Sequence, residues 1–222
     1  MKRAIVYIDG FNLYHGLKDK GWKKYLWLDL QAFAASIIPT DHQLTKNKYF
    51  TARVKAFLDD PDKPRRQAKY LDAITANSPE IEIVEGRYQA FQSHCRHCDH
   101  DIYCCNCGEP HVKPIEKKTD VNIATAMLVD AFENHCDTQI LVSGDSDYEN
   151  LLKELRRLFP KKQLVIAFPP KRKNNRLIGK DKCTEWFIIE EATFQKCQFE
   201  NVVTFTTRTG KRVAIEKPVE WS

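Results

Sequence analysis

Short apolar runs alternate with amphipathic segments along the chain, and this alternation predicts the fold class. Residues 4–8, 140–142 and 164–168 are continuous apolar runs, which are typical of parallel strands buried on both faces. The segments at 117–132 and 151–159 carry apolar residues at helical spacing instead. The pattern predicts an α/β fold, with helices on both faces of a central, mostly parallel sheet.

Three further segments extend the pattern. Residues 48–57 alternate apolar and polar positions, which predicts a strand. Residues 61–77 begin with prolines and carry an apolar helical face, and residues 81–91 return to strand character. Residues 202–218 alternate on both sides of a Thr-Gly pair, which predicts a β-hairpin near the C-terminus.

One main domain, an insertion and a short extension account for this order of elements. Residues 92–116 have almost no aliphatic side chains and are rich in cysteine and histidine, so they interrupt the strand and helix rhythm. We expect residues 1–190 to form the main domain around this insertion, and residues 191–222 to form a C-terminal extension that holds the hairpin. A chain of 222 residues can bury a sizeable core.

Acidic residues stand where predicted strands end and helices begin. Asp9 ends the first apolar run, Asp120 lies at the start of the helix at 117–132, and Asp145 and Asp147 follow the run at 140–142. Taken singly, each is ordinary turn or cap chemistry, since carboxylates favour helix N-termini. Because ligands bind at the carboxyl ends of strands in open α/β sheets, their recurrence in three segments favours a shared site.

Capping patterns predict how these acids are presented. Thr119 is the predicted N-cap of the helix that carries the second acidic position. Ser146 followed by Glu149 fits a capping box, which places Asp145 just outside a helix. Asn12 stands about one helical turn after the first acid, so its amide can point back to the same spot.

The chemistry of such a cluster points to a hard divalent cation. Carboxylates that converge repel one another unless a cation compensates them, and carboxylate oxygens suit Mg²⁺ or Mn²⁺. We expect Asp9, Asp120, Asp145 and Asp147 to bind Mg²⁺ or Mn²⁺, with Asn12 as a neutral ligand or water-orienting group. Such an ion activates water against a phosphodiester without a side-chain nucleophile. The chain accordingly contains no G-x-S-x-G, P-loop or GxGxxG motif.

The insertion has the cysteine spacing of a zinc site. Two C-x2-C pairs, Cys95 with Cys98 and Cys104 with Cys107, can supply four thiolates to one tetrahedral Zn²⁺. A closed site of this kind serves folding and RNA contact, since it leaves no open position for a substrate. A thiol cluster without metal is the alternative. Other candidate ligands stay open: Cys105, His94, His97, His100 and His111.

The net charge and the absence of membrane or export patterns limit the kinds of partner that we expect. The net charge of +5 and a pI near 8.7 are compatible with a polyanion such as RNA. The basic residues expected to contact the substrate lie on the strand at 48–57, beside Asp120 and in the loop after residue 168: Arg53, Lys117, Lys118, Lys171, Arg172 and Lys173. No run approaches a membrane span and the N-terminus lacks a signal-peptide pattern. We therefore expect a cytoplasmic protein without membrane contact, and homo-oligomerisation stays open.

Three motifs in this order resemble the LabA-like branch of the NYN domain family, within the PIN-like nuclease superfamily. They are AIVYIDGFNLY, KKTDVNIATAMLVDAF and ILVSGDSDYENLLKELRRL, and the resemblance spans roughly residues 3–190. It implies a PIN-like three-layer α/β/α fold and a metal-dependent RNase site formed by Asp9, Asp120, Asp145 and Asp147. Asn12 matches the family's DGxN asparagine. The Cys-rich insertion and the C-terminal hairpin depart from the simplest family pattern.

Two functions of different classes follow. The first is a Mg²⁺- or Mn²⁺-dependent endoribonuclease in which the zinc module and the basic loop position the RNA. The second is a nucleic-acid-binding or adaptor protein whose acidic pocket is weakly active or inactive. The full set of acids favours the enzyme, because a protein that only binds RNA does not need a repulsive cluster. A phosphatase is a weaker third reading, since it would need a covalent nucleophile.

Overall fold

The structure is a computed structural model, and it describes residues 1–56, 60–95, 97–206 and 209–221. Six parallel strands form the central sheet: β1 (Lys2–Asp9), β2 (His42–Thr51), β3 (Glu82–Glu85), β8 (Thr138–Val142), β9 (Gln163–Phe168) and β10 (Glu185–Ile188). Their order across the sheet is β10-β9-β8-β1-β2-β3, and every neighbouring pair is parallel. The expectation of an α/β fold around a parallel sheet is confirmed.

Helices cover both faces of this sheet. They are α1 (Gly10–Asp19), α2 (Leu30–Ile37), α3 (Lys63–Asn77), α4 (Thr119–Phe132), α5 (Glu149–Leu158) and α6 (Glu191–Lys196). One core cluster takes its helical side chains from α1, α2, α3 and α6, and a second takes them from α4 and α5. Strand β1 contributes to both core clusters. Val6 and Ile8 belong to the first cluster, and Ile5 and Tyr7 belong to the second. The result is the three-layer α/β/α arrangement.

Two predicted strands need correction. The segment at 48–57 was expected to alternate, but β2 runs from His42 to Thr51, and its last five residues are all buried. A strand inside the sheet is covered on both faces, so polar positions on it do not mark a solvent face. Arg53 lies beyond the end of this strand, and Phe57 lies outside the described residues.

The predicted strand at 81–91 divides at Gly86. Residues before it form β3 in the central sheet, whereas residues after it form β4 (Arg87–Gln92), which leaves the sheet and pairs antiparallel with β7 (Val112–Lys117). A Cβ atom on Gly86 would lie 2.4 Å from Thr119 Oγ1 and 2.9 Å from the Lys117 carbonyl oxygen. Glycine therefore lets the two strands leave and rejoin the domain at one crowded point.

The Cys-rich segment extends from this β4–β7 ribbon, and we refer to residues 87–117 as the arm. Within it, β5 (His94–Cys95) pairs antiparallel with β6 (His100–Asp101), and an isolated bridge joins Tyr103 to Pro110. Neither core cluster contains a described residue of the arm. The arm therefore begins somewhat before and ends just after the predicted insertion at 92–116.

The C-terminal hairpin is present as β11 (Val202–Thr206) and β12 (Arg212–Glu216). This part of the chain shares the main core, since Phe194, Phe199 and Trp221 belong to the first core cluster. Trp221 packs with ring-centroid distances of 6.2 Å to Trp27 and 5.8 Å to Tyr70. Across the described residues, no helix is long and apolar enough to cross a membrane.

The packing of Trp221 predicts that the C-terminal residues stabilise the whole domain. Trp221→Ala should lower the free energy of unfolding by roughly 3 kcal/mol, because truncating a buried aromatic side chain leaves a cavity. Urea denaturation measures the change. Val219→Ala is the control: Val219 is 83% exposed against 8% for Trp221, so its loss should stay within about 0.5 kcal/mol. Equal effects of the two variants would contradict this packing account.

Candidate active site

The site lies where the carboxyl ends of β1 and β8 meet. These strands pair in parallel with Ile8 opposite Val142, so Asp9 and the turn after Val142 emerge at the same edge of the sheet. Helix α4 begins near this edge and carries Asp120 in its first turn. Three segments that are distant in sequence are thereby brought to one place.

A pocket of about 320 Å³ opens at this edge. Three of its lining residues are the predicted acids Asp9, Asp120 and Asp145. The other lining side chains are Phe11, Asn12, His15 and Arg172. The pocket therefore combines carboxylates with an amide, an imidazole, an aromatic ring and one guanidinium group.

Asp9 is the buried centre of this arrangement, with only 4% of its surface exposed. It is the N-cap of α1, and its Oδ1 accepts a hydrogen bond from the backbone amide of Asn12 at 3.0 Å. Its Oδ2 accepts a hydrogen bond from the Ser143 hydroxyl at 2.8 Å. The cap and the serine fix the carboxylate at the end of its strand.

Tyr148 links two of the acids. Its hydroxyl lies 2.7 Å from Asp120 Oδ1 and 3.4 Å from Asp9 Oδ2, and its side chain is buried. Ser143 similarly connects Asp9 with the next turn. Its hydroxyl donates a hydrogen bond to Asp9 and accepts one from the backbone amide of Asp145 at 3.1 Å. Sequence reasoning missed Ser143, Tyr148 and His15. The position of Tyr148 directly after the Gly-Asp-Ser-Asp turn was the available signal.

The acidic turn is packed against the basic loop that follows β9. A Cβ atom on Gly144 would lie 1.8 Å from the Arg172 carbonyl oxygen, so only glycine permits this approach. The Gly144 amide also donates a hydrogen bond to Asn12 Oδ1 at 3.0 Å, and the Gly144 carbonyl accepts one from Asn174 Nδ2 at 3.0 Å. Arg172 itself is held by an ion pair with Asp19. The loop thus places one guanidinium group at the pocket wall.

Burial and like charges change the acidity of this cluster. The pKa of Asp9 is raised to about 6, mainly by burial. The hydrogen bonds from Asn12 and Ser143 oppose this rise, and the charges of Asp120 and Asp145 add to it. The pKa of Asp120 is also raised, by burial and then by the charges of Asp145 and Asp147. Burial, Lys63 and Arg172 lower the pKa of His15. Asp9 and Asp120 therefore ionise less readily than aspartates in water.

Other predicted site residues lie outside the pocket lining. Asp147 is exposed, and its backbone amide donates to Asp145 Oδ1 at 3.0 Å. Arg53 is paired with Glu85 at 2.8 Å. Lys117 stands over the ring of Phe91 at 4.7 Å and Lys173 over that of Trp186 at 4.2 Å, while Lys118 and Lys171 are exposed with positive φ.

The predicted helix caps differ from those observed. Asp145, not Ser146, is the capping residue of a short 3₁₀ turn at Ser146–Tyr148, and α5 starts only at Glu149. Thr119 is the first residue of α4 instead of its N-cap, which is Lys118 in a left-handed conformation. Asp120 nevertheless lies in the first turn of α4, as predicted.

The donors of the pocket suit a hard cation, although the described part of the chain holds no group of three or more His, Cys, Asp or Glu side chains arranged for a metal ion. Asp9, Asp120 and Asp145 offer carboxylate oxygens, and Asn12 offers an amide, which are ligand types of Mg²⁺ and Mn²⁺. Two of the three acids have raised pKa values because they are buried near one another. By donor chemistry and electrostatics the pocket fits such an ion.

The domain is therefore a three-layer α/β/α arrangement with aspartates at the carboxyl edge of its parallel sheet. The model of the NYN domain matches residues 3–185. The chain belongs to the NYN domain family, which is a PIN-like nuclease family.

Two other comparisons give distant similarities. The 6-hydroxy-3-succinoylpyridine 3-monooxygenase HspA from Pseudomonas putida (strain DSM 28022 / S16) is 28% identical, over 99% of this chain and 75% of HspA. The crystal structure of a protein of unknown function from Vibrio parahaemolyticus RIMD 2210633, VPA0982, is 16% identical with a TM-score of 0.49. That similarity covers 86% of this chain and 94% of the other.

The raised pKa of Asp9 predicts that ionisation of its carboxyl group lowers the stability of the folded protein. Folding favours the protonated carboxyl, so this stabilisation is complete at low pH and is lost as the pH rises through about 6. Asp9→Asn should therefore stabilise the cation-free protein at pH 8 by an amount on the order of 2 kcal/mol, because each pKa unit is worth about 1.4 kcal/mol. The gain should shrink towards pH 4. Urea denaturation with EDTA at both pH values measures it.

Added Mn²⁺ provides the internal control for this comparison. It should stabilise the wild type at pH 8 more than Asp9→Asn, since the ion binds the native carboxylates. A variant that is less stable than the wild type at both pH values, with EDTA present, would contradict the electrostatic account.

Proposed function

We propose that this protein is a Mg²⁺- or Mn²⁺-dependent endoribonuclease whose active site is the acidic pocket. The observation that carries the proposal is the convergence of Asp9, Asp120 and Asp145 from three chain segments on one pocket at the sheet edge. Burial and mutual repulsion raise the pKa of Asp9 and Asp120. Membership of a nuclease family supports the same chemistry.

The residues of the pocket would have different roles in the reaction. Asp9, Asp120 and Asp145 would hold the cation, with Asp147 beside them on the exposed side. A bound divalent cation neutralises phosphodiester charge and lowers the pKa of a bound water molecule. The Tyr148 hydroxyl lies between two of the carboxylates and donates a hydrogen bond to the nearer one, that of Asp120. Asn12 Oδ1 is fixed by the Gly144 amide, which leaves its NH₂ group as a donor towards a water molecule or a phosphate oxygen.

The basic side of the pocket would position the RNA backbone. Arg172 lines the pocket and is oriented by Asp19, so its guanidinium group can approach a phosphate without a large loss of side-chain freedom. Lys171 and Lys173 belong to the same loop and can contact neighbouring phosphates. Lys117, Lys118 and Arg53 come from the other side of the α4 start, where the arm joins the domain. Together they would bind RNA independently of sequence.

Cleavage of a labelled single-stranded RNA tests this proposal. The wild type should cut the RNA with Mn²⁺ or Mg²⁺ and be inactive with EDTA. Asp145→Asn should lose at least about 100-fold in rate, a loss typical when one group that stabilises transition-state charge is removed, while RNA binding measured by fluorescence anisotropy is retained. Asp145 is chosen because it is less buried than Asp9, so its replacement leaves the core unchanged.

Asp72→Asn is the matched control. Asp72 is an exposed aspartate of α3 that lies outside the pocket lining, so its variant should cleave like the wild type. A parallel purification of the Asp145→Asn protein also excludes contaminating RNases. Equal cleavage by Asp145→Asn and the wild type would refute the site. RNA binding without cleavage by the wild type would favour an adaptor protein instead.

The similarity to HspA suggests a second candidate function, the monooxygenation of a substituted pyridine. A second cavity of about 80 Å³ lies beside the acidic pocket and shares Phe11 with it. Its wall is mainly apolar and aromatic, with contributions from Tyr14, Tyr49 and Tyr70. Incubation with 6-hydroxy-3-succinoylpyridine, dioxygen and an electron donor distinguishes the two functions. Consumption of the pyridine with incorporation of oxygen, without RNA cleavage, would favour the oxygenase. RNA cleavage without consumption of the pyridine would favour the nuclease.

A further inference from the structure

The tip of the arm contains a nine-residue internal repeat. Residues 93–101 read SHCRHCDHD and residues 102–110 read IYCCNCGEP, with cysteines at the third and sixth positions of both. The first copy supplies Cys95 and Cys98, and the second supplies Cys104 and Cys107. A repeat this short indicates two copies of one local structure.

Both copies fold into the same turn. In the first, the Asp99 amide donates to the Cys95 carbonyl at 3.0 Å, and Asp99 has φ 56°. In the second, the Gly108 amide donates to the Cys104 carbonyl at 2.9 Å, and Gly108 has φ 72°. Each turn therefore closes over its two cysteines with one left-handed residue directly after the second of them.

The two cysteines of each copy differ in exposure in the same way. The first of each pair, Cys95 and Cys104, is half-buried. The second, Cys98 and Cys107, is exposed. The two turns therefore place their cysteine pairs alike with respect to solvent.

The two turns leave the ribbon from a common base. The Ile102 amide donates to the Ser93 carbonyl at 2.8 Å, the Ser93 amide to the His111 carbonyl at 2.7 Å, and the His111 amide to the Ile102 carbonyl at 2.8 Å. This closed ring of three bonds joins the start of each repeat. Since the first cysteine of each copy stands two residues beyond this base, the two sulfur pairs project from adjacent points.

We propose that Cys95, Cys98, Cys104 and Cys107 bind one structural Zn²⁺ ion between the two turns. Four thiolates complete the tetrahedral set that structural zinc prefers. The described side chains do not yet converge on a metal centre, and the ion supplies the attraction that brings the pairs together as the thiols lose their protons. Cys98 and Cys107 are exposed, so this approach displaces no core packing.

Four of the five other candidate ligands have contacts of their own. The His94 ring lies 2.8 Å from Asp99 Oδ1 and 3.1 Å from Asp101 Oδ1, and His111 Nδ1 lies 2.8 Å from the Ser93 hydroxyl. His100 Nδ1 contacts the Cys98 carbonyl. Cys105 Sγ is directed at Asn106 Oδ1, 3.7 Å away. Cys105 lies outside the repeated positions, so it is the natural control.

The zinc would stabilise a part of the chain that the main cores do not reach. No described arm residue belongs to either core cluster, so the ion substitutes for apolar packing within the arm. The arm presents the exposed side chains of Phe91 and Tyr103 and is rooted at Gly86, in contact with Thr119 next to Asp120. The arm therefore joins the domain next in sequence to one of the acidic residues that line the pocket.

Metal content and cobalt spectra test the site. Protein purified without chelator should contain one Zn²⁺ per chain, measured by inductively coupled plasma mass spectrometry. Cys95→Ser and Cys104→Ser should lose most of it, while Cys105→Ser and Asp9→Asn should keep it. Co²⁺ added to the zinc-free protein should give the intense d–d and sulfur-to-metal charge-transfer bands of a tetrahedral thiolate site. The Cys105→Ser protein should give the same bands.

Thiol reactivity of the wild type tests the site without relying on variants, which can fail to fold. In the wild type, alkylation of the four repeat cysteines should be slow with zinc bound and fast after chelation, whereas Cys105 should react at similar rates in both. Limited proteolysis within residues 93–111 should likewise accelerate after chelation, with little change in the melting temperature of the main domain. Absence of zinc, with disulfides within the pairs, would overturn the proposal. Zinc that depends on Cys105 would overturn this ligand set.

Discussion

The parallel pairing of β1 with β8 is the constraint on which the candidate site depends. It sets Asp9 beside the turn that holds Ser143 and Asp145, and the Ser143 hydroxyl then joins the two segments directly. Tyr148 extends the connection to Asp120 at the start of α4. The cost of burying like charges is set by this scaffold, because the sheet edge fixes the carboxylates near one another regardless of their repulsion. A divalent cation is the direct way to relieve that cost.

The positions of the main acids could be predicted because strand and helix periodicity locates the ends of elements. Apolar runs indicated β1, β8 and β9, and the rule that parallel strands end at a common edge placed Asp9 and Asp145 together. The loop after residue 168 was expected to contact the substrate, and its residue Arg172 does line the pocket. These predictions rest on local patterns that the tertiary structure keeps.

The remaining features depend on contacts that no local pattern contains. The position of Tyr148 after the acidic turn is visible in the sequence, but only the meeting of α4 with the β8 turn places its hydroxyl between two acids. Arg53 was placed on a polar strand face, but β2 lies inside the sheet and ends before it. The sequence predicted one strand over residues 81–91, because nothing in it indicates the close contacts at Gly86 where the arm leaves the domain. The arm itself was recognisable from its cysteines, whereas the equivalence of its two turns required backbone geometry.

A crystal structure grown with Mn²⁺ and measured at the manganese absorption edge tests the central claim most directly. The account predicts an anomalous peak in the acidic pocket, bonded to oxygens of Asp9, Asp120 and Asp145 at about 2.0–2.2 Å, in the range of hard divalent cations. Small shifts of these side chains from their cation-free positions are expected as the ion binds. A pocket without manganese at saturating concentration, or manganese bound only elsewhere on the chain, would contradict it.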